Sequence, residues 1–160
     1  SGLVQRQRAV MHEAWQCILL DSSIADSAGG RLSETELAFL DSALTHYPEL
    51  SAMICMHHQP VPVGSCWMDT MVIDNAEEFW YIIDQHPQVR TVVWGHIHQV
   101  FSERRNGIHL LGTPSTCMQF APEEHDPLFD EVEPGYRWFE LYDDGTLKTG
   151  VERIAFTEFA

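Results

Sequence analysis

An apolar run that ends in a Gly-His-x-His segment decides the fold of this chain: Val89-Arg90-Thr91-Val92-Val93-Trp94-Gly95-His96-Ile97-His98. The run Val89–Trp94 predicts a buried strand. Gly95 allows the backbone to turn sharply where this strand ends and to approach a ligand closely. The stretch therefore predicts a strand that carries histidines at its carboxyl end, where ligands gather in α/β sheets.

Two other apolar runs precede this strand. Residues 15–20 predict one strand, and Ser51–Met56 predict another that runs directly into His57 and His58. The strands alternate with helical patterns, as in proteins whose parallel strands are joined by crossover helices. The fold class expected from this order is α/β.

The helical patterns begin and end at recognisable signals. A capping box at Ser33 opens the first predicted helix, and Pro48 marks its end. Asn75 is the predicted N-cap of a second helix over residues 76–86, which Pro87 stops. These helices supply the crossovers between the three strands.

The last third of the chain no longer alternates predicted strands with predicted helices. Two hairpins are predicted on either side of an acidic surface loop: residues 99–104 with 108–112, residues 136–142 with 147–153, and the loop at 123–133. No shift in composition divides the chain, so we expect a single domain over residues 1–160. Residues 1–2 are interpreted as a remnant of an expression tag.

Composition excludes some classes of function. The chain has 160 residues, 24 acidic and 9 basic, with a formal net charge of -15, so duplex nucleic acid would be repelled. No apolar run approaches the roughly 18–20 residues needed to cross a bilayer. Four cysteines without a C-x-x-C pair are typical of reduced thiols in a cytoplasmic protein. Cys55 is either a soft metal ligand or a buried strand residue.

The histidines at the strand ends are the predicted metal ligands. His57 follows one strand, and His96 and His98 follow another, 39 residues beyond His57, which is about one βαβ unit. Residues two apart in an extended segment project the same way, so we expect His96 and His98 to reach one site while Ile97 points to the core. Neutral imidazole is a good ligand for zinc, iron or manganese.

Two residues have more than one interpretation. His58 is adjacent to His57 and would point to the opposite side of a strand, which favours a supporting or substrate-contacting role over ligation. Asn75 is most simply a helix cap, with substrate contact as the alternative. We rank both below His57, His96 and His98.

Four segments extend this interpretation to a family: Met56-His57-His58-Gln59-Pro60-Val61-Pro62, Gly64-Ser65-Cys66-Trp67-Met68-Asp69, Gly95-His96-Ile97-His98-Gln99 and Thr113-Pro114-Ser115-Thr116-Cys117-Met118-Gln119-Phe120. With these segments the chain resembles the calcineurin-like metallophosphoesterases, most closely the bacterial class III cyclic-AMP phosphodiesterases. The likeness extends over residues 15–153. The Gly-His-x-His segment marks the superfamily, and the second and fourth segments indicate the cyclic-nucleotide branch.

The resemblance implies a fold and a reaction. The fold is the C-terminal half of a four-layer α/β/β/α sandwich with two divalent metals, Fe, Mn or Zn, at the sheet edge. His57 and His96 would bind one metal and His98 the other. The implied reaction is hydrolysis of a phosphodiester, with 3',5'-cyclic AMP giving 5'-AMP in the full-length enzyme.

The sequence departs from the family in its first half. The family motifs D-x-H, G-D and G-N-H-D/E are missing, and we interpret Asp84-Gln85-His86 as a chance match. The chain is therefore interpreted as a partial domain. Without bridging carboxylates we expect the isolated chain to be inactive and to bind at most one metal weakly. An exposed sheet edge and apolar face would favour self-association.

Two other functions compete with hydrolysis at a two-metal site. One is a non-catalytic acidic α/β module in which the histidines hold a single metal. The other is a nucleophile hydrolase that uses Ser65 or Cys66 with His57. The segment around Ser65 lacks the second glycine of a G-x-S-x-G elbow, which disfavours the latter.

Overall fold

The computed structural model describes residues 8–155, so the interpretation of residues 1–2 as a tag remnant lies outside the described residues. The elements in this part of the chain are β1 (Ala9–His12), β2 (Trp15–Leu19), α1 (Glu34–His46), β3 (Ser51–Met56), α2 (Cys66–Asp69), α3 (Ala76–Ile83), β4 (Val89–Trp94), β5 (Phe101–Arg105), β6 (Ile108–Gly112), β7 (Gln119–Phe120), β8 (Phe129–Asp130), β9 (Gly135–Leu141) and β10 (Leu147–Arg153). None of these helices is long and apolar enough to cross a bilayer.

A six-stranded sheet with the order β1-β2-β3-β4-β6-β5 forms the centre of the structure. The four inner strands are parallel, and β1 and β5 pair antiparallel at the two edges. The strands β7 and β8 form a separate small pair, as do β9 and β10. Because the inner strands are parallel, their carboxyl ends lie along one edge of the sheet.

Helices α1 and α3 cover one face of the sheet and enclose the larger hydrophobic core. Ile18, Ile54 and Trp94 project from β2, β3 and β4 into this core and are buried. Leu40 of α1 and Phe79 of α3 close it from the helix side. Burial of each side chain of this size contributes about 1.5–3 kcal/mol, so this face is the main source of hydrophobic stabilisation.

The β9–β10 hairpin covers part of the other face. Trp15, Met53 and Val93 are buried there against Phe139 and Leu141 of the hairpin. The indole of Trp15 also donates a hydrogen bond of 2.8 Å to the carbonyl of Tyr142 just beyond β9. The hairpin is thus attached to the sheet by apolar contact and by hydrogen bonds.

The predicted α/β fold is confirmed. Strands β3 and β4 have the predicted bounds, and the two predicted hairpins form as β5–β6 and β9–β10. Asn106 and Gly107, the turn residues of the first hairpin, both have positive φ, as the sequence predicts for a tight turn. The helix layer and the sheet are two of the layers of the expected sandwich.

Two details at the helix ends differ from the prediction. The hydroxyl of Ser33 accepts a hydrogen bond from Glu36 N, but the capping box is incomplete because the Glu36 carboxylate binds Asp21 N and Arg8 instead. Helix α3 ends at Ile83, three residues before the predicted end. The amides of Gln85 and His86 bond to carbonyls three residues earlier, which is the tighter pattern common at helix ends.

Asn75 occupies the N-cap position of α3, but its side chain does not cap the helix, so the predicted capping role is wrong. Its Oδ1 accepts a hydrogen bond from Leu32 N, and its Nδ2 donates one to Leu32 O. Asn75 is buried, and both ends of its amide are used by this one residue. It therefore fixes the loop before α1 to the start of α3.

Several short elements were not predicted. The edge strand β1, the one-turn helix α2 and the β7–β8 pair carry too few residues to show a periodic pattern. The β8 strand lies within the acidic segment 123–133, which was predicted to be a loop throughout. These elements form through tertiary contact rather than local preference.

Candidate metal centre

The carboxyl ends of β3 and β4 bring His57 and His96 together. The two strands are parallel with Met56 opposite Trp94, so the residues that follow them start from neighbouring points. Gly95 N donates a hydrogen bond of 3.1 Å to the carbonyl of His57, which continues the pairing beyond the strands. His57 Nε2 and His96 Nδ1 are 3.1 Å apart. The predicted convergence of these histidines is seen in the structure.

His58 lies in the same group. Ligand nitrogens of His57, His58 and His96, hereafter the histidine cluster, all lie within 4.8 Å of one another. The prediction that His58 points away from His57 is therefore wrong. It assumed strand geometry, whereas β3 ends at Met56 and both histidines lie in the bend that follows.

A buried serine holds the ring of His58. Ser22 Oγ is 2.8 Å from His58 Nδ1 and accepts a hydrogen bond of 3.1 Å from His58 N. Ser22 and His58 are both buried. Gly30 packs on the same ring, and a Cβ at Gly30 would lie 2.7 Å from both Cβ and Nδ1 of His58. Ser22 and Gly30 thus set the position of His58.

His98 is oriented differently from the prediction. Its φ of 49° places it in the left-handed region, so the segment is not extended and His98 does not join the histidine cluster. Its Nδ1 is 3.1 Å from the carbonyl of Met118, and its ring stacks on Phe120 with centroids 5.1 Å apart. A histidine bonded to a carbonyl through Nδ1 presents Nε2 for ligation. Ile97 is buried in the core, as predicted.

The environment keeps the histidine cluster uncharged. Burial, reinforced by the neighbouring histidines His58, His57 and His98, lowers the pKa of His96 to about 4. Burial is also the main cause that lowers the pKa of His57 and of His58. A neutral imidazole retains a lone pair, which is the form that binds metal.

The donors present fit one divalent cation. The nitrogen of His96 that faces His57 is Nδ1, whereas its Nε2 is buried and has no hydrogen-bond partner within residues 8–155. The 3.1 Å between His57 and His96 nitrogens is close to the roughly 3.3 Å that follows from two Zn–N bonds of about 2.05 Å at a tetrahedral angle. Within residues 8–155 the cluster contains no carboxylate.

Other residues singled out by the sequence lie elsewhere. Ser65 is buried with its Oγ 3.5 Å from Gln99 Nε2, and no hydrogen bond joins Ser65 or Cys66 to His57 in the described part of the chain. Burial raises the pKa of Cys55 to about 12, with a smaller effect of Cys17, and Cys55 is not in the cluster. Cys55 is therefore better interpreted as a partly buried strand residue than as a metal ligand.

The Asp84-Gln85-His86 segment is engaged in ordinary surface contacts. Arg105 Nη2 donates a 2.8 Å hydrogen bond to Asp84, and His86 lies 3.0 Å from Asp41. Asn75 is bonded to Leu32 and is not a member of the histidine cluster. Its contribution to the site is indirect, through the loop that carries Gly30.

Comparisons with known proteins give consistent results. The chain is 40% identical over 156 residues to a 3',5'-cyclic-nucleotide phosphodiesterase from Nostoc sp. strain PCC 7120, covering 98% of the chain and 59% of that protein. It is 43% identical over 140 residues to the 3',5'-cyclic adenosine monophosphate phosphodiesterase CpdA from Pseudomonas aeruginosa, covering 88% and 52%. The chain therefore spans about half the length of these curated relatives.

Among solved structures, a dimetal phosphatase from Danio rerio matches with a TM-score of 0.55 at 15% identity, covering 79% of this chain and 54% of the other. At this identity the match shows the fold alone. No family model matches the chain.

The contact between Gly30 and His58 gives a test of the site. We expect Gly30→Ala to displace the His58 ring and to lower the free energy of unfolding by about 1–3 kcal/mol, because the added methyl overpacks a buried contact. The measurements are urea unfolding and the ring resonances of His58 by NMR.

Gly29→Ala is the matched control. A Cβ at Gly29 would meet only Ser27 Oγ at 3.6 Å, which is ordinary contact, so we expect a change within about 0.5 kcal/mol. Equal effects of the two substitutions would contradict the proposed packing of His58.

Proposed function

This chain is a homologue of the bacterial 3',5'-cyclic-nucleotide phosphodiesterases with the metallophosphoesterase fold, and we propose that it supplies the histidine ligands for metal-dependent hydrolysis of a phosphodiester. The observation that carries the proposal is the facing pair His57 Nε2 and His96 Nδ1, which lie 3.1 Å apart at two parallel strand ends. The proposed substrate of the complete enzyme is 3',5'-cyclic AMP.

We assign the ligands as follows. His57 and His96 would hold one divalent metal, Fe, Mn or Zn, and His98 would hold a second. We assign His58 a supporting role beside the pair, with its ring held by Ser22. When bound, such metals supply a Lewis acid and lower the pKa of a coordinated water.

The residues of this chain orient the histidine rings and favour their neutral form. The carbonyl of Met118 and the ring of Phe120 fix the direction of His98. Partial removal of the rings from solvent lowers the pKa of His57 and of His96, which favours the neutral form that binds metal. In hydrolysis of 3',5'-cyclic AMP, water adds at phosphorus, the bond to the ribose 3'-oxygen breaks, and 5'-AMP is the product.

Two metals require charge that the described residues do not bring to the site. Neutral imidazoles do not offset two dications, and within residues 8–155 no carboxylate joins the cluster. We propose that the complete enzyme provides bridging carboxylates from the part of the protein that the chain does not match. The isolated chain is accordingly inactive and binds one metal weakly.

The non-catalytic module remains the second candidate. The observation that favours it is that the histidine cluster offers three nitrogens to one ion without any carboxylate. The complete protein distinguishes the two functions, since only the hydrolase requires a second metal.

The cellular setting is also a proposal. The four cysteines are free, which supports a reducing compartment such as the cytoplasm. The net charge of -15 supports the absence of a nucleic-acid partner.

We expect the isolated chain to bind one equivalent of Zn²⁺ and to lose at least tenfold in affinity on His96→Ala, because His96 contributes a central ligand. Isothermal titration calorimetry measures both. His86→Ala is the control, since His86 lies beside Asp41 and its loss should leave the affinity unchanged. Two tight equivalents, or an unchanged affinity of His96→Ala, would contradict the ligand assignment.

Activity is expected only in the complete enzyme. With Mn²⁺ supplied, the isolated chain should not hydrolyse 3',5'-cyclic AMP or bis-nitrophenyl phosphate above background. The full-length protein should hydrolyse the cyclic nucleotide, and His96→Ala should reduce its kcat by at least 100-fold. Robust turnover by the isolated chain would sink the proposal of missing carboxylates, and an inactive full-length protein would favour the module.

The second face of the sheet is open near β1, which supports the proposed self-association of the isolated chain. Val10 and Leu19 are 43% and 42% exposed on the face that carries Trp15, and Cys17 and Cys55 are only partly covered. We propose that the remainder of the complete enzyme covers this face. Large apolar faces of this kind favour association when they are left exposed.

Light scattering tests this proposal. We expect the average mass of the isolated chain to rise above the monomer mass with concentration, and Leu19→Gln to reduce this rise. Tyr81→Gln is the control, since Tyr81 is 73% exposed on α3 and lies on the helix side of the sheet. A strictly monomeric chain at high concentration would count against association.

A further inference from the structure

A second polar site lies at the opposite end of the sheet from the histidine cluster. A surface cavity of about 540 Å³ is bounded by the β9–β10 turn and by β4, β5 and β6, and its lining is Arg90, Arg104, Gly107, His109, Asp144, Gly145, Thr146 and Leu147. Arg90 is near the start of β4 and His96 follows its end. At about 3.3 Å per residue, roughly 20 Å separate the two sites along the strand.

Arg104 and His109 form a cross-strand pair in this cavity. They are directly opposite in the β5–β6 ladder, and Arg104 Nη2 lies 2.8 Å from His109 Nε2. A guanidinium can only donate, so Nε2 accepts and the proton of the neutral ring is on Nδ1. The positive charge of Arg104 is therefore not neutralised by its partner.

Arg90 reaches the cavity from an irregularity in β4. Ala52 pairs with Val89 and Met53 with Thr91, so Arg90 is the extra residue of a bulge, a feature that redirects a side chain. Its side chain has a marginal contact of 3.5 Å with the carbonyl of Pro87. Gly145 of the hairpin turn lies close to it, since a Cβ there would be 3.4 Å from Arg90 Nε.

The two arginines lack carboxylate partners. In the described part of the chain, no Asp or Glu lies within ion-pair distance of Arg90 or Arg104. Asp144 also lines the cavity, but its Oδ1 accepts hydrogen bonds of 2.9 and 2.6 Å from N and Oγ1 of Thr146 and so stabilises its own turn. Two unpaired cations on one cavity stand out in a chain with 9 basic and 24 acidic residues.

We propose that this cavity binds a small phosphate-class oxyanion through Arg90 and Arg104. Guanidinium groups match the oxygens of phosphate in charge and geometry. The volume is within the roughly 300–1,000 Å³ of small-molecule sites, so the cavity accommodates a phosphate group alone or one that carries an organic substituent. The bound anion would join the β9–β10 turn to the central sheet.

The test is an NMR titration of the isolated chain in the presence of EDTA, which keeps the histidine cluster free of metal. Inorganic phosphate and ribose 5-phosphate are added in parallel, with chloride at matched ionic strength as the reference. We expect saturable shifts of the backbone amides of Gly107, His109 and Gly145. The tighter of the two ligands identifies whether the substituent contributes.

The variants assign the binding to the arginines. Arg90→Gln with Arg104→Gln should weaken binding at least tenfold, whereas Arg31→Gln, which removes an arginine paired with Asp74, should leave it unchanged. Arg104→Lys retains the charge if the double variant does not fold, and it should still weaken binding at least threefold. The absence of saturable shifts, shifts confined to residues 95–99, or equal affinity in the folded variants would overturn the proposal.

Discussion

The parallel pairing of β3 with β4 is the interaction on which the site depends. The register that sets Met56 opposite Trp94 places two strand ends side by side, and the hydrogen bond from Gly95 N to the carbonyl of His57 extends the pairing by one residue. Ile54 is buried beneath the helices, whereas Met53 and Val93 are buried on the opposite face of the sheet. A slip by one residue would exchange the side chains between the two faces, so the packing on both faces fixes the register. The hydrophobic core thereby determines where His57 and His96 meet.

The same burial accounts for the chemistry of the histidines. Their rings lie where solvent is partly excluded, so the protonated form is disfavoured and the pKa of His96 is lowered to about 4. His96 Nε2 is buried without a hydrogen-bond partner within residues 8–155, and His98 has a left-handed backbone; both features are unfavourable in isolation. Unfavourable features of this kind concentrate at functional sites, where ligand binding offsets them. The geometry is consistent with the similarity of the chain to cyclic-nucleotide phosphodiesterases.

Features of the fold and of the site were predictable from the sequence where they depend on residues that are close together in the chain. The bounds of β3 and β4 were predicted because continuous apolar runs and flanking Pro and Gly are local signals. The convergence of His57 with His96 followed from the strand order. The directions of His58 and His98 were not predicted, since the backbone leaves strand geometry just where these residues occur. Ser22 and Gly30 were missed because they reach His58 from distant positions in the chain, and no local pattern marks such contacts.

X-ray absorption spectroscopy of the Zn²⁺-loaded chain tests whether His57 and His96 are metal ligands. We expect a first shell of nitrogen or oxygen atoms at about 2.0–2.1 Å with the multiple-scattering pattern of at least two imidazoles. Loss of one imidazole in His57→Ala would complete the assignment. A sulfur ligand at about 2.3 Å, or a shell without imidazole, would contradict it.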